Sequence, residues 1–219
     1  MPIVLCLILA WMLAPAALAQ GATTPVEGPA VKPGDTWIYN KINGWNGELE
    51  DISLVKVRHV DAEGIDMDAS ALDGNGAARI RRTPGFNLVR IEAPQATKTT
   101  LPFYPNFAFP LSVGKTWKAA VVFESTDQPG KEVRAVLEAR VVGFESVTVP
   151  AGTFQAMKIV MSGNYRARNL EHDWVGRIED TLWYSPQARN AVRYEYKDTV
   201  GVSTYNHEIH ELVRYWLVP

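Results

Sequence analysis

The sequence predicts an all-β protein: a curved antiparallel meander of about eleven strands, either a half-barrel or a sandwich, with little helix. Three observations carry this. Apolar and polar residues alternate with period two in run after run, as a half-buried strand requires. The runs are rich in Val, Ile, Thr and aromatics, and each is bounded by Gly, Pro, Asn or Asp. No apolar pattern of period 3.6 persists long enough for an amphipathic helix.

The chain of 219 residues opens with a segment that does not belong to this fold. Residues 1–19 carry no charged side chain, and Ile3 to Leu13 form an apolar run followed by Pro15 and the small-x-small ending Ala17-Leu18-Ala19. This is the pattern of a signal peptide cut after Ala19, although the usual basic start is missing. The run falls short of the ~20 residues a helical membrane anchor needs, so no membrane span is expected after cleavage. The sole cysteine, Cys6, lies inside this segment, one residue after Leu5 and too early for an acylated lipoprotein cysteine. The exported remainder therefore has no disulfide, thiolate ligand or cysteine nucleophile. About 200 residues can still bury roughly 70% of their unfolded surface, so a core alone can stabilise them. Export places the protein in the periplasm or outside the cell.

Residues 20–33 are rich in Pro, Gly and Ala and read as a flexible leader. The fold then spans 34–219. Strands are expected at 35–43, 49–60, 63–69, 77–82 and 86–92. Next comes a hairpin: Trp117, Ala119, Val121 and Phe123 share one face, and Val133, Ala135, Leu137, Ala139 and Val141 share another, with turn chemistry from Ser125 to Gly130 between them. Further strands are expected at 153–163, 174–184, 191–197 and 203–217.

Gly34-Asp35-Thr36-Trp37 is echoed by Gly114-Lys115-Thr116-Trp117, which suggests two related halves, 34–92 and 114–217. The joining segment 93–113 holds Pro94, Pro102, Pro105 and Pro110 among Phe103, Tyr104, Phe107 and Phe109. Proline cannot donate to a ladder, so no central strand is expected there. The segment is either a loop pinned by aromatics into the core or an aromatic lid over an apolar cavity. On the second reading, Phe103, Tyr104, Phe107 and Phe109 are the candidate ligand-binding residues.

The most distinctive stretch is Val147-Thr148-Val149-Pro150-Ala151-Gly152-Thr153-Phe154, a strand, a sharp turn and a second strand. Leu182-Trp183-Tyr184-Ser185-Pro186 follows, and Phe109-Pro110-Leu111 through Trp117 precedes it. Together these resemble the TapB-like exported bacterial proteins. The resemblance covers roughly 34–217 and implies an extracytoplasmic β-rich fold without assigned catalytic residues. A more distant likeness to periplasmic lipoprotein carriers is one of architecture alone. Within the motifs, Pro150, Gly152 and Pro186 read as turn geometry, and Phe154, Trp183 and Tyr184 as packing.

Composition excludes some partners. With 22 basic and 24 acidic residues, the net charge of −2 supplies no field for nucleic acid or an anionic membrane. Arg79-Ile80-Arg81-Arg82, with Arg90, reads as the solvated face of a strand. A monomer is the default.

Candidates for chemistry are few. His207-Glu208-Ile209-His210-Glu211 has the wrong spacing for a helical zinc motif. On a strand, His207 and Glu211 share the face of Tyr205, Ile209, Val213, Tyr215 and Leu217, where they form a polar pair or the base of a hydrolase. Ser53-Leu54-Val55-Lys56 matches a penicillin-interacting motif by letter, but lies on a strand and lacks its partner motifs. Asp66, Asp68, Asp73 and Asn75 do not fit a calcium loop, because Ala71 and Ala77 stand where glycine and glutamate are needed. Glu179 and Asp180, being adjacent, face opposite ways. No metal site and no cofactor is called for. The seven Phe, eight Tyr and seven Trp are explained mainly as core, each buried ring contributing roughly 4–6 kcal/mol before entropy.

The expected function is therefore that of an exported, non-catalytic protein. It would bind an apolar small molecule, a lipid or an envelope protein on a curved sheet. The alternatives are a structural or assembly component of the envelope, or a hydrolase using His207 and Glu211.

Overall fold

The computed structural model describes residues 24–72 and 76–219; the expected signal peptide and its cleavage site lie outside them. Twelve strands form one antiparallel sheet: β1 Thr36–Asn43, β2 Leu49–Val60, β3 Ile65–Ala71, β4 Ala78–Arg82, β5 Leu88–Glu92 and β6 Thr97–Tyr104, then β7 Thr116–Ser125, β8 Glu132–Val149, β9 Gly152–Arg168, β10 Asp173–Ser185, β11 Asn190–Val200 and β12 Ser203–Trp216. Each strand pairs with its neighbours in sequence, and β12 returns to pair with β1. The sheet is thus a closed barrel, where a half-barrel or sandwich of about eleven strands was expected. Closure rests on the register Thr36↔Trp216 to Asn43↔Glu208, a pairing of the first strand with the last that local patterning does not encode. No helix among the described residues is long and apolar enough to cross a membrane.

The additional strand is β6, inside the segment expected to be a loop. Its prolines still obey the donor rule. β6 pairs with β7 only from Lys98 to Leu101, and Pro102 follows the last of these pairs. On the other side, the β5 ladder shifts register between Leu88 and Arg90, so Pro102 has no ladder donor to lose.

Alternation sets the polarity of the wall. On β7 and β8 the pairs Trp117↔Ala139, Ala119↔Leu137, Val121↔Ala135 and Phe123↔Val133 face inward. Lys118 and Glu138 pair on the outer face, as do Glu132 and Arg134. The barrel is apolar inside and charged outside, the reverse of a transmembrane barrel.

One end of the barrel is filled. Trp37, Phe86 and Leu111 are fully buried there, and Phe107 stacks on Phe109 at 5.1 Å while both meet the edge of Tyr184. The described part of the expected flexible leader joins this plug. Val26 exchanges two 2.7 Å backbone hydrogen bonds with Leu111, and Val26 and Val31 are buried. Apolar side chains in an otherwise Pro- and Gly-rich stretch hold it against the plug.

The turn before Trp37 recurs before Trp117. Gly34 donates to the Val57 carbonyl and Val57 to that of Asp35, both at 2.8 Å; Gly114 and Val141, and Val141 and Lys115, repeat this at 2.9 Å. Gly34 and Gly114 both hold a left-handed φ, 101° and 84°. The Val149–Gly152 turn carries its hairpin across the same end, where the Ala151 amide donates to Leu212 of β12 at 2.9 Å. Phe154 is buried beside Tyr215.

Candidate functional site

The barrel interior between this plug and the opposite end is not filled. A cavity of about 730 Å³ lies there, reaching the β7–β8 turn at Gln128 and Lys131. Twelve strands enclose more space than their inward side chains occupy, and several of those are small: Ser53, Ala69, Ala78 and Ala191. Val55, Met67, Ile80, Leu88, Phe123 and Leu182 supply apolar wall.

Polar side chains line the cavity too, among them Lys98, Glu124, Gln128 and Lys131 near the β7–β8 turn, with Asn106 and Asn190. Three further polar groups lie in or behind the wall. The first is Arg82, the last residue of β4, which shares the inner face with Ile80. Its Nη1 donates to the Phe86 carbonyl at 2.9 Å, and its guanidinium carbon lies 4.8 Å from the centre of the Phe86 ring. Nε is enclosed and has no partner. Burial lowers its pKa to about 10, so it remains charged at neutral pH.

The second is Asp180 on β10, 2% exposed, which lies behind the cavity-lining Tyr104 and Tyr194. It accepts from Tyr194 of β11 at 2.8 Å and from Tyr104 of β6. Burial pushes its carboxyl up to about 7, outweighing the two hydrogen bonds that favour the carboxylate. Burial also holds both tyrosines well above the usual phenol range, so they stay protonated as donors.

The third is Glu208 with His210 on β12, both lining the cavity. Hydrogen bonds from His210 (3.4 Å) and Asn206 (2.9 Å), with Lys41 at 3.2 Å, pull the Glu208 carboxyl down to about 2.

Of the four aromatic candidates, Tyr104 and Phe107 line the cavity. Phe109 packs in the plug behind Phe107, and Phe103, adjacent to the inward Tyr104, does not line the cavity. Segment 93–113 is therefore part wall and part floor.

His207 and Glu211 do not line the cavity, against expectation. Their partners are on the outer face of β11: His207 Nε2 lies 2.9 Å from Glu195, and Glu211 3.4 Å from Arg193. The reason is a bulge. Ile38 pairs with Arg214 but Tyr39 with Leu212, leaving Val213 without a partner. The extra residue inverts parity, so the inward position of Tyr215 passes to Leu212, His210 and Glu208. Leu212, fully buried, marks the inward side of that stretch.

The remaining candidates separate likewise. Ser53 lines the cavity, whereas Lys56 is exposed on the outer face. Asp66 faces Arg58 and Arg81, and Asp68 faces Arg58; Asp73 and Asn75 lie outside the described residues. Glu179 pairs outward with Arg177 at 3.1 Å while Asp180 points in. Arg79, Arg81 and Arg90 lie together on the outer face with Arg58, Asp66 and Glu92. Arg82 alone of the arginine cluster turns inward. Strict alternation from Ile80 was the signal for it.

No protein-family model matches the chain, and no curated protein does. Two solved structures share the fold. One is a candidate lipoprotein from Parabacteroides distasonis, 16% identical, covering 88% of this chain and 99% of its own, with a TM-score of 0.52. The other is a candidate exported protein with a YmcC-like fold from Bacteroides fragilis, 17% identical, with the same coverage and a TM-score of 0.53. At these identities, the likeness is one of fold. This chain has a fold like that of the YmcC-like exported protein.

Proposed function

We propose that this is an exported, non-catalytic protein that binds one apolar ligand inside its barrel, in the periplasm or outside the cell. One observation carries the reading: a cavity of about 730 Å³ whose exposed wall is largely apolar, with polar side chains set among the apolar ones. That volume is within the range of small-molecule sites, and such a composition suits them. Export is supported by the signal-like segment ending at Ala19 and by the resemblance to TapB-like exported proteins. Tyr104 and Phe107 are the wall residues from segment 93–113.

The test is titration with the uncharged fluorophore N-phenylnaphthylamine. The wild-type chain should bind one probe saturably. Ala69→Trp, which fills the cavity from β3, should weaken binding by about tenfold or more, and Val136→Trp on the outer face should leave it unchanged. Absence of saturable binding, or equal binding by Ala69→Trp, defeats the reading.

A role as an envelope assembly component is favoured by a different observation. Leu170, Val175, Val202 and Tyr205 are highly exposed beside the turns that link β9 to β10 and β11 to β12, and clustered exposed apolar side chains mark contact surfaces. Barrel closure removes strand-edge pairing as the route, so these turns would provide the contact. Crosslinking from Tyr205 in the envelope should capture a partner on this reading; a clean monomer counts against it.

A further inference from the structure

Resting on the cavity reading above, we infer that the ligand is an amphiphile with an acidic head, and that the head lies against Arg82 with the tail along the apolar wall. The inference begins with a charge that lacks its counter-ion. Arginine carries five N–H donors in a rigid fork. At Arg82 one is committed, to the Phe86 carbonyl at 2.9 Å, and Nε has no partner. Among the described residues no carboxylate pairs with it, although Arg58, Arg81 and Arg90 on the outer face all have acidic partners.

The interior acids are already engaged. Asp180 accepts from Tyr104 and Tyr194. Glu208 is held by Lys41 and Asn206. The ionisable groups that act on Arg82 are the phenols of Tyr39 and Tyr194, which burial keeps neutral. They are also spent as donors, Tyr39 to the Ala191 carbonyl at 2.7 Å and Tyr194 to Asp180 at 2.8 Å. Two lysines also line the cavity, but at its far end: Lys131 in the β7–β8 turn and Lys98, paired with Ser125 beside it. Beside the plug, recognition of an anion falls to the guanidinium.

Position supports the same assignment. Arg82 ends β4 beside the plug, where the buried Phe86 ring fixes it from below. From there the wall runs through Ile80, Leu88, Met67 and Val55, which offer a tail only apolar contact. An unpaired charge enclosed in such a wall is costly unless a ligand supplies the opposite charge. A carboxylate and a phosphate monoester both match the fork of arginine, so the shared chemistry is an oxyanion at one end of an alkyl chain.

The test is displacement of N-phenylnaphthylamine by dodecanoic acid, dodecyl phosphate and dodecanol, with the wild type and with Arg82→Met. An acid or phosphate that displaces the probe at a concentration about tenfold or more below that of dodecanol is the expected result. Arg82→Met should erase that preference while still binding the probe. The tighter of acid and phosphate identifies the head. If dodecanol competes as well as both anions, or if the preference survives in Arg82→Met, the inference is overturned while probe binding still supports the cavity. If the probe itself does not bind, the cavity reading fails and takes this inference with it. Should Arg82→Met not fold, Lys98→Met and Lys131→Met decide instead: the wild-type preference for the anion should survive in both, and its absence in the wild type or its loss in either variant overturns the inference.

Discussion

Tyr194 on β11 donates its phenolic hydrogen to Asp180 on β10 across 2.8 Å, and Tyr104 reaches the same carboxyl from β6, on another part of the barrel wall. This buried triad ties segment 93–113 to the β10–β11 hairpin. It also makes stability depend on pH. Asp180 holds its proton to about pH 7 in the folded chain, against an ordinary value of 3.8. Between those values the folded state binds the extra proton, so this group's contribution falls as pH rises through the window. Urea unfolding should show the wild type losing up to about 4 kcal/mol from this source between about pH 4 and pH 8. Asp180→Asn should flatten that slope; parallel profiles for the two proteins refute the assignment.

Asp35 is fully buried at the closed end. It accepts from the backbone of Lys32 at 3.0 Å and of Val218 at 2.6 Å, and pairs with Arg189 at 3.1 Å. Arg189 sits at a φ of 52° in the β10–β11 turn. Asp35→Ala leaves two amides without their acceptor and Arg189 without its carboxylate, with only the Val218 carbonyl at 3.2 Å remaining to its Nη1. A loss of about 3–5 kcal/mol is expected from chemical denaturation, together with faster proteolysis in 24–33. A loss under about 1 kcal/mol shows that the cluster contributes little.

Phe107, 5% exposed, joins the plug to the cavity through Phe86, Phe109 and Tyr184. Truncation to alanine removes the floor ring, so Phe107→Ala should cost about 3–5 kcal/mol and lower the melting temperature correspondingly. A neutral substitution means the plug does not pack as described.

For His207→Ala the expectation is nearly the opposite. The pair with Glu195 lies on the outer face with only partial burial, 14% and 22% exposed, and Trp45 covers the ring edge-on at 6.0 Å. A stability loss of about 1 kcal/mol or less, with probe binding unchanged, is predicted. A tenfold change in binding would return His207 to the site.

Most of the wall was legible in the sequence because alternation is a local property. The β7–β8 hairpin pairs Val121 with Ala135 on the inner face, as its pattern states. What was not legible depends on contacts distant in sequence. Barrel closure is the pairing of Thr36 with Trp216, and no window of sequence contains both. β6 was hidden because Pro102 looks like a veto until its place beyond the last β7 pair is known. The unpaired Val213 displaced the inward position from His207 and Glu211 to Glu208 and His210, since one extra residue reverses every later parity. Arg82 was readable from Ile80 by the same alternation, but its neighbours Arg79 and Arg81 made a single outward cluster the simpler reading.

The cavity itself is tested most directly by the methionine methyl groups. Met67 lines the cavity, while Met157 and Met161 are buried in the wall away from it. Methyl-labelled methionine spectra of the exported chain, recorded with and without dodecanoic acid, should show the Met67 resonance shifting in a saturable way and the Met157 resonance staying in place. A Met67 resonance that does not move at saturating ligand, or a shift confined to Met157 and Met161, contradicts a ligand inside the barrel.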